Sequence, residues 1–151
     1  MARSKKSASV SRVVGIDHIS IRVRDYEKSK AFYGGLFAFL GFEISDEYPS
    51  TIGWTNGKTR YWIAPADGRK KHRIGDVGLH HYAFQLRSRR DVDALQGYLE
   101  GQDVRIVDPA GEYYDDYYAV FFLDPDGLKL EGMKYGEMAA KRKRKSSKKR
   151  A

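Results

Sequence analysis

The feature that most constrains this chain is that it repeats itself. A shift of 63 residues lays Gly15 on Gly78, Ile16 on Leu79 and His18 on His81. The same shift lays Ile19, Ile21 and Val23 on Tyr82, Phe84 and Leu86. Self-similarity of this kind marks a duplicated supersecondary unit, in which neither copy buries its apolar face alone.

Each copy reads as strand, helix and then three strands. GIDHISIRV (15–23) alternates as a half-buried strand does, with Ile19, Ile21 and Val23 on one face and His18, Ser20 and Arg22 on the other. Asp25 has the chemistry of an N-cap for a helix running to about Leu40, and Gly41 suits its C-terminal stop. Phe32, Leu36, Phe39 and Leu40 supply that helix with an apolar stripe, weakened locally by Gly34 and Gly35. FEISDEYP, TIGWT and RYWIAPA follow as short strands, the last two joined by a hairpin at 56–58. Residues 67–77 form a polar connector. The pattern then restarts with GLHHYAFQL (78–86), and Ser88 caps a helix bearing Val92, Leu95 and Leu99. VRIVDP, YAVFFL and LKLEGM (128–133) are the closing strands, with the turn DPDG (124–127) before the last.

The expected architecture is α+β. Two βαβββ modules, 13–66 and 78–135, form an open, barrel-like mixed sheet with helices on its outer face, within one domain spanning 13–135. The bulky face of each first strand lies under the helix of its own module. His18 and His81 are thereby left on the opposite, concave face, and His80 falls on the helix-facing side or at the strand's fringe. In the last strand Leu128 and Leu130 point one way and Lys129, Glu131 and Met133 the other, so Glu131 joins the concave face.

Composition narrows the chemistry. The chain has no cysteine, which excludes disulfides and thiolate ligands or nucleophiles. A transition-metal site would therefore use histidine and carboxylate. No apolar run is long enough to span a membrane, and the basic N-terminus lacks a following apolar stretch, so a cytoplasmic protein is expected. The net charge of +8 is misleading, because four cations lie in residues 1–12 and eight in residues 136–151, beside a single Glu137. The body between them is mildly acidic. The two tails read as disordered and solubilising, able to make weak contact with nucleic acid or an anionic surface.

His18, His81 and Glu131 thus converge on one cavity. Two imidazoles and a carboxylate suit Fe, Mn, Zn, Ni or Co as divalent ions and leave positions open for a small-molecule substrate. Glu131 is a metal ligand and a candidate catalytic base. Arg22, on His18's face, is a candidate anion contact. Trp54, Tyr61, Trp62, Tyr114 and Tyr118 are candidate pocket walls, and Tyr113 and Tyr117 belong with them at the mouth as a lid or phenolic acid.

GIDHISIRV with Asp25, Ser29, Phe32 and Tyr33, GLHHYAF, and YAVFFLDPDGLKLE (118–131) together resemble the vicinal oxygen chelate superfamily of glyoxalases, bleomycin-resistance proteins and dioxygenases. The resemblance covers about residues 14–134. It implies paired βαβββ modules around a metal, with His18, His81 and Glu131 matching the first-strand, second-module and last-strand ligands. It also implies a homodimer, in which the cup is formed within one chain or by modules exchanged between two. Glyoxalase I enzymes add a glutamate on the fourth strand. Here RYWIAPAD ends in Asp67 and offers none within the strand, which counts against that activity. The resemblance implies a metal-dependent lyase, isomerase, thiol transferase or ring-cleaving dioxygenase acting on an oxygen-rich substrate. The alternative is a drug-binding resistance protein without catalysis.

Overall fold

The computed structural model describes residues 11–137. Apart from residues 11, 12, 136 and 137, the expected tails lie outside the described residues. The first module comprises β1 (His18–Val23), α1 (Tyr26–Phe39), β2 (Glu43–Tyr48), β3 (Thr51–Thr55) and β4 (Arg60–Pro65). The second comprises β5 (His81–Gln85), α2 (Arg89–Gly101), β6 (Ile106–Tyr114), β7 (Tyr117–Leu123) and β8 (Lys129–Tyr135). Their sheets run β1-β4-β3-β2 and β5-β8-β7-β6, each mixed, open and four-stranded, and neither closes into a barrel. The first strand pairs parallel to the last in both modules, so β1 and β5 are edge strands.

Local chemistry explains the boundaries. The Asp25 carboxylate accepts from the Lys28 amide at 3.1 Å, and the Ser88 hydroxyl accepts from the Asp91 amide at 3.1 Å. Gly41 stands at φ +80, the left-handed conformation that ends α1 without steric cost. The strand expected at VRIVDP continues to Tyr114. Pro109 is tolerated because the β6–β7 register shifts between Asp108 and Gly111, which relieves the ladder of the missing donor.

The apolar stripe of α1 is rotated from the expected one. Tyr33, Leu36 and Phe37 are buried, whereas Phe39 is half exposed and Leu40 is the cap. Phe39 instead stacks on Tyr98 of α2 at 4.5 Å between ring centroids. The contact explains Gly35, where a Cβ would lie 2.7 Å from the Tyr98 hydroxyl. Aromatic packing continues across the modules, with Phe37 and Phe42 near Phe84 and Tyr61 near Tyr82. The helix-covered faces of the two modules therefore pack on one another. Burying each of these rings contributes about 2–3 kcal/mol.

The DPDG turn clasps this interface. Asp124, 6% exposed, accepts from the Tyr33 hydroxyl at 2.6 Å and from the amides of Asp126 and Leu128 at 2.9 and 2.8 Å. Asp126 accepts from the Arg24 amide at 2.9 Å and pairs with its guanidinium at 3.4 Å. A hairpin turn thus ties the end of β1 and the middle of α1 to the second module.

Candidate functional site

In the second module, alternation along β5 turns His81 and Ala83 away from α2, while Tyr82 and Phe84 face the core. Register sets Ala83 opposite Glu131 and His81 opposite Lys129, so His81 and Glu131 are diagonal neighbours on the free face. Their side chains meet, with His81 Nε2 3.1 Å from Glu131 Oε2. Glu131 is 1% exposed, and its other oxygen, Oε1, accepts from the Tyr117 hydroxyl at the start of β7. Burial, then the bond to Glu131, pushes the Tyr117 phenol well above the ordinary tyrosine range, so it acts as a neutral donor. Phe121, opposite Glu131 on β7, lies 6.4 Å from the His81 ring, and Lys129 Nζ sits 4.4 Å above Phe121. Tyr114 and Tyr135 complete this hollow of about 590 Å³.

His80, just before β5, lies beside the site. Its Nδ1 is 2.6 Å from Nδ1 of His81, so one of the two must carry the proton. When His80 donates, His81 offers an Nε2 proton to Glu131. When His81 donates, its Nε2 lone pair and the carboxylate face one point together, an arrangement that a cation stabilises. A buried carboxylate whose only described partners are a phenol and an imidazole needs one or the other. The donor set of this half therefore fits a metal.

His18 lies in a separate hollow of about 410 Å³ with Ser20, Thr51, Arg60 and Trp62. Its Nδ1 is 2.8 Å from Asp17 Oδ2, and this bond holds the Asp17 carboxyl below the usual carboxylate range. A carboxylate on Nδ1 fixes the tautomer that leaves Nε2 free as a ligand. Among the described residues no three His, Asp or Glu side chains gather closely enough to hold one ion. The chain brings His81 and Glu131 together and does not bring His18 to them. The helix-covered faces pack inward, and His18 and the His81–Glu131 pair line separate hollows.

The other expected pocket residues divide. Trp54 and Tyr61 are core residues, 2% and 1% exposed, packed against Phe37 and Tyr33 on the helix side of their sheet. Tyr118 also faces the helix side, where its hydroxyl donates to Asp93 at 2.6 Å and its ring lies under Arg89. Strand parity decides all three: each occupies the phase opposite to the ligand in its sheet. Tyr114 does line the His81 hollow, and Arg22 lies in a groove adjoining that of His18. Trp62 takes a place of its own. Ser20 pairs with Trp62 as Ala83 pairs with Glu131, so a tryptophan fills the first-module position equivalent to Glu131. It lies flat on Gly53, where a Cβ would come within 2.6 Å of the ring. As expected, β4 carries no carboxylate within the strand, and Asp67 lies beyond its end at Pro65. Tyr117, expected at the mouth as a lid or phenolic acid, donates to Glu131, and His80, expected on the helix-facing side or at the strand's fringe, lies just before β5 against His81; neither bond was legible in the sequence.

The fold and these sites define a class: paired βαβββ modules, each presenting a first-strand histidine on the face away from its helix. Residues 15–131 match the Glyoxalase/Bleomycin resistance protein/Dioxygenase superfamily, and the chain belongs to it. The uncharacterized protein YqjT of Bacillus subtilis strain 168 is 31% identical over 123 residues, covering 76% of this chain and 94% of its own. A glyoxylase/bleomycin resistance protein/dioxygenase domain from Frankia sp. EAN1pec superposes with a TM-score of 0.69 at 21% identity, over 83% of this chain and 100% of that one. A lactoylglutathione lyase from Agrobacterium tumefaciens does so with a TM-score of 0.63 at 20% identity, over 82% and 95%. At these identities the two structures speak for the fold alone. No described helix is long and apolar enough to cross a membrane.

Proposed function

We propose that this protein is a metal-dependent enzyme whose site is assembled from two copies of the chain. His18 of one copy and His81 with Glu131 of the other hold a single divalent ion. The observation that carries this reading is the His81–Glu131 pair, a buried carboxylate aligned with an imidazole at 3.1 Å, with no third His, Asp or Glu beside it among the described residues.

Two further features support a second copy. β1 and β5 both present open edges. Exposed apolar residues precede each histidine, Val14 and Ile16 in one module and Val77 in the other, with Val14 and Val77 equivalent under the 63-residue shift. A two-fold axis sets one such edge against the other and covers both.

A divalent ion held there supplies Lewis-acid stabilisation of an oxyanion on a small oxygen-rich substrate. Three protein ligands leave room for two adjacent substrate oxygens, and Trp62 occupies the place a fourth would need. Asp17 orients His18. Tyr117 fixes Glu131 through Oε1, which leaves Oε2 to face the ion and, only once released from it, to accept a substrate proton. Arg60 and Lys129, at equivalent places beside His18 and His81, contribute positive charge where an oxyanion develops. This chemistry serves a lyase, isomerase, thiol transferase or ring-cleaving dioxygenase.

The test is metal content together with complementation. Purified protein is expected to hold about one ion per chain, lost in His18→Ala and in His81→Ala. Mixing those two variants under conditions that exchange subunits restores one of two sites in each heterodimer, and with about half the dimers mixed the sample recovers about a quarter of the wild-type metal. A metal-free protein that binds a cationic drug, or mixed variants that recover no metal, would overturn the reading.

A further inference from the structure

A groove of about 730 Å³ runs between β1, the connector before β5 and the 124–128 turn. Ser20 lines both this groove and the His18 hollow, so the two adjoin. Three cations face it without a carboxylate partner among the described residues: Arg22, Lys70 and Lys71. The acids nearby are all engaged. Asp76 is held by Arg73, Asp126 by Arg24, and Asp124 by Tyr33 and two amides.

The connector carrying the lysines is anchored. The His72 amide donates to the Asp126 carbonyl at 3.1 Å, and the His72 carbonyl lies 2.9 Å from where a Gly127 Cβ would stand, at a residue with φ +85. The His72 ring encloses its Nε2 with no hydrogen-bond partner. Leu79 and Leu128 give the groove an apolar wall.

We infer that this groove binds the anionic end of a small ligand, a phosphoryl or carboxylate group gripped by Arg22 and the Lys70–Lys71 pair, with an apolar part against Leu79 and Leu128. Uncommitted cations on a fixed concave surface attract anions more strongly than the same charges on a flexible tail. The groove adjoins the His18 hollow through Ser20, which puts the His18 face within reach of a bound molecule. Taking that molecule to be the substrate rests on the enzyme reading above; anion binding by the groove does not.

The test uses the full chain, stripped of metal, at about 0.15 M salt to screen the basic tails. Inorganic pyrophosphate and citrate are titrated separately by calorimetry and by amide NMR. At least one is expected to shift the amides of Arg22 and of Lys70 to His72, and the stronger of the two identifies the anion as phosphoryl or carboxylate. Arg22→Gln and Lys70→Gln/Lys71→Gln each weaken binding about tenfold, which corresponds to roughly 1.4 kcal/mol. The control Lys141→Gln/Lys143→Gln/Lys145→Gln leaves the groove shifts and their affinity unchanged. Shifts confined to residues 136–151, equal weakening in the control, or no groove shift with either probe would overturn the inference. Since no metal is present, that failure is distinct from failure of metal binding.

Discussion

Replacing Asp124 tests the inter-module clasp. Asp124→Ala leaves three inward donors without their acceptor: the Tyr33 hydroxyl and the amides of Asp126 and Leu128. Each unsatisfied buried donor costs about 1–3 kcal/mol, and turn amides regain water more easily than a core phenol, so the sum is about 3–5 kcal/mol. Asp124→Asn keeps an oxygen for both amides but turns an NH2 group toward Tyr33, and should cost about 1–2 kcal/mol. Burial raises the Asp124 carboxyl above its ordinary value, more than its hydrogen bonds lower it. The folded state therefore holds this proton more tightly than the unfolded chain does. The stability so contributed is full below the unfolded value near 4 and is lost as the pH rises through the folded one. The asparagine variant lacks this slope, so its deficit against wild type grows as the pH falls from 7 toward about 4. Urea unfolding of wild type, both variants, Tyr33→Phe and Tyr33→Phe/Asp124→Asn measures this, with a coupling between the two sites of about 1–2 kcal/mol. A loss below about 1 kcal/mol for Asp124→Ala would refute the assignment of the turn as a buried clasp.

Two further expectations concern packing and the site. A Cβ at Gly132 would stand 2.4 Å from Leu95 Cδ2, so Gly132→Ala should lower stability by about 1–3 kcal/mol in thermal unfolding, and an unchanged melting temperature would contradict the close approach of β8 and α2. The Tyr117 phenol should stay protonated where exposed tyrosines ionise, so Tyr117→Phe should leave the tyrosinate absorbance unchanged up to about pH 11, and a smaller rise in the variant would show that Tyr117 ionises with the rest.

What the sequence determined by itself was periodic and local. The 63-residue echo carried the duplicated βαβββ order, because residues buried in equivalent ways repeat their pattern. Asp25, Gly41 and Ser88 fixed helix ends through hydrogen bonds and dihedrals that involve only a few neighbouring residues. Alternation put His18, His81 and Glu131 on the faces turned from the helices, and each is found there. Tertiary structure decided what periodicity cannot encode. The β4 and β8 registers turned Trp54 and Tyr61 into core and gave Trp62 the place equivalent to Glu131. The packing of helix face on helix face, fastened by Asp124 and Asp126, left His18 and the His81–Glu131 pair in separate hollows. Alternation along a strand tells a side chain which face to take, but the direction that face points depends on contacts about a hundred residues away, such as Arg24 to Asp126.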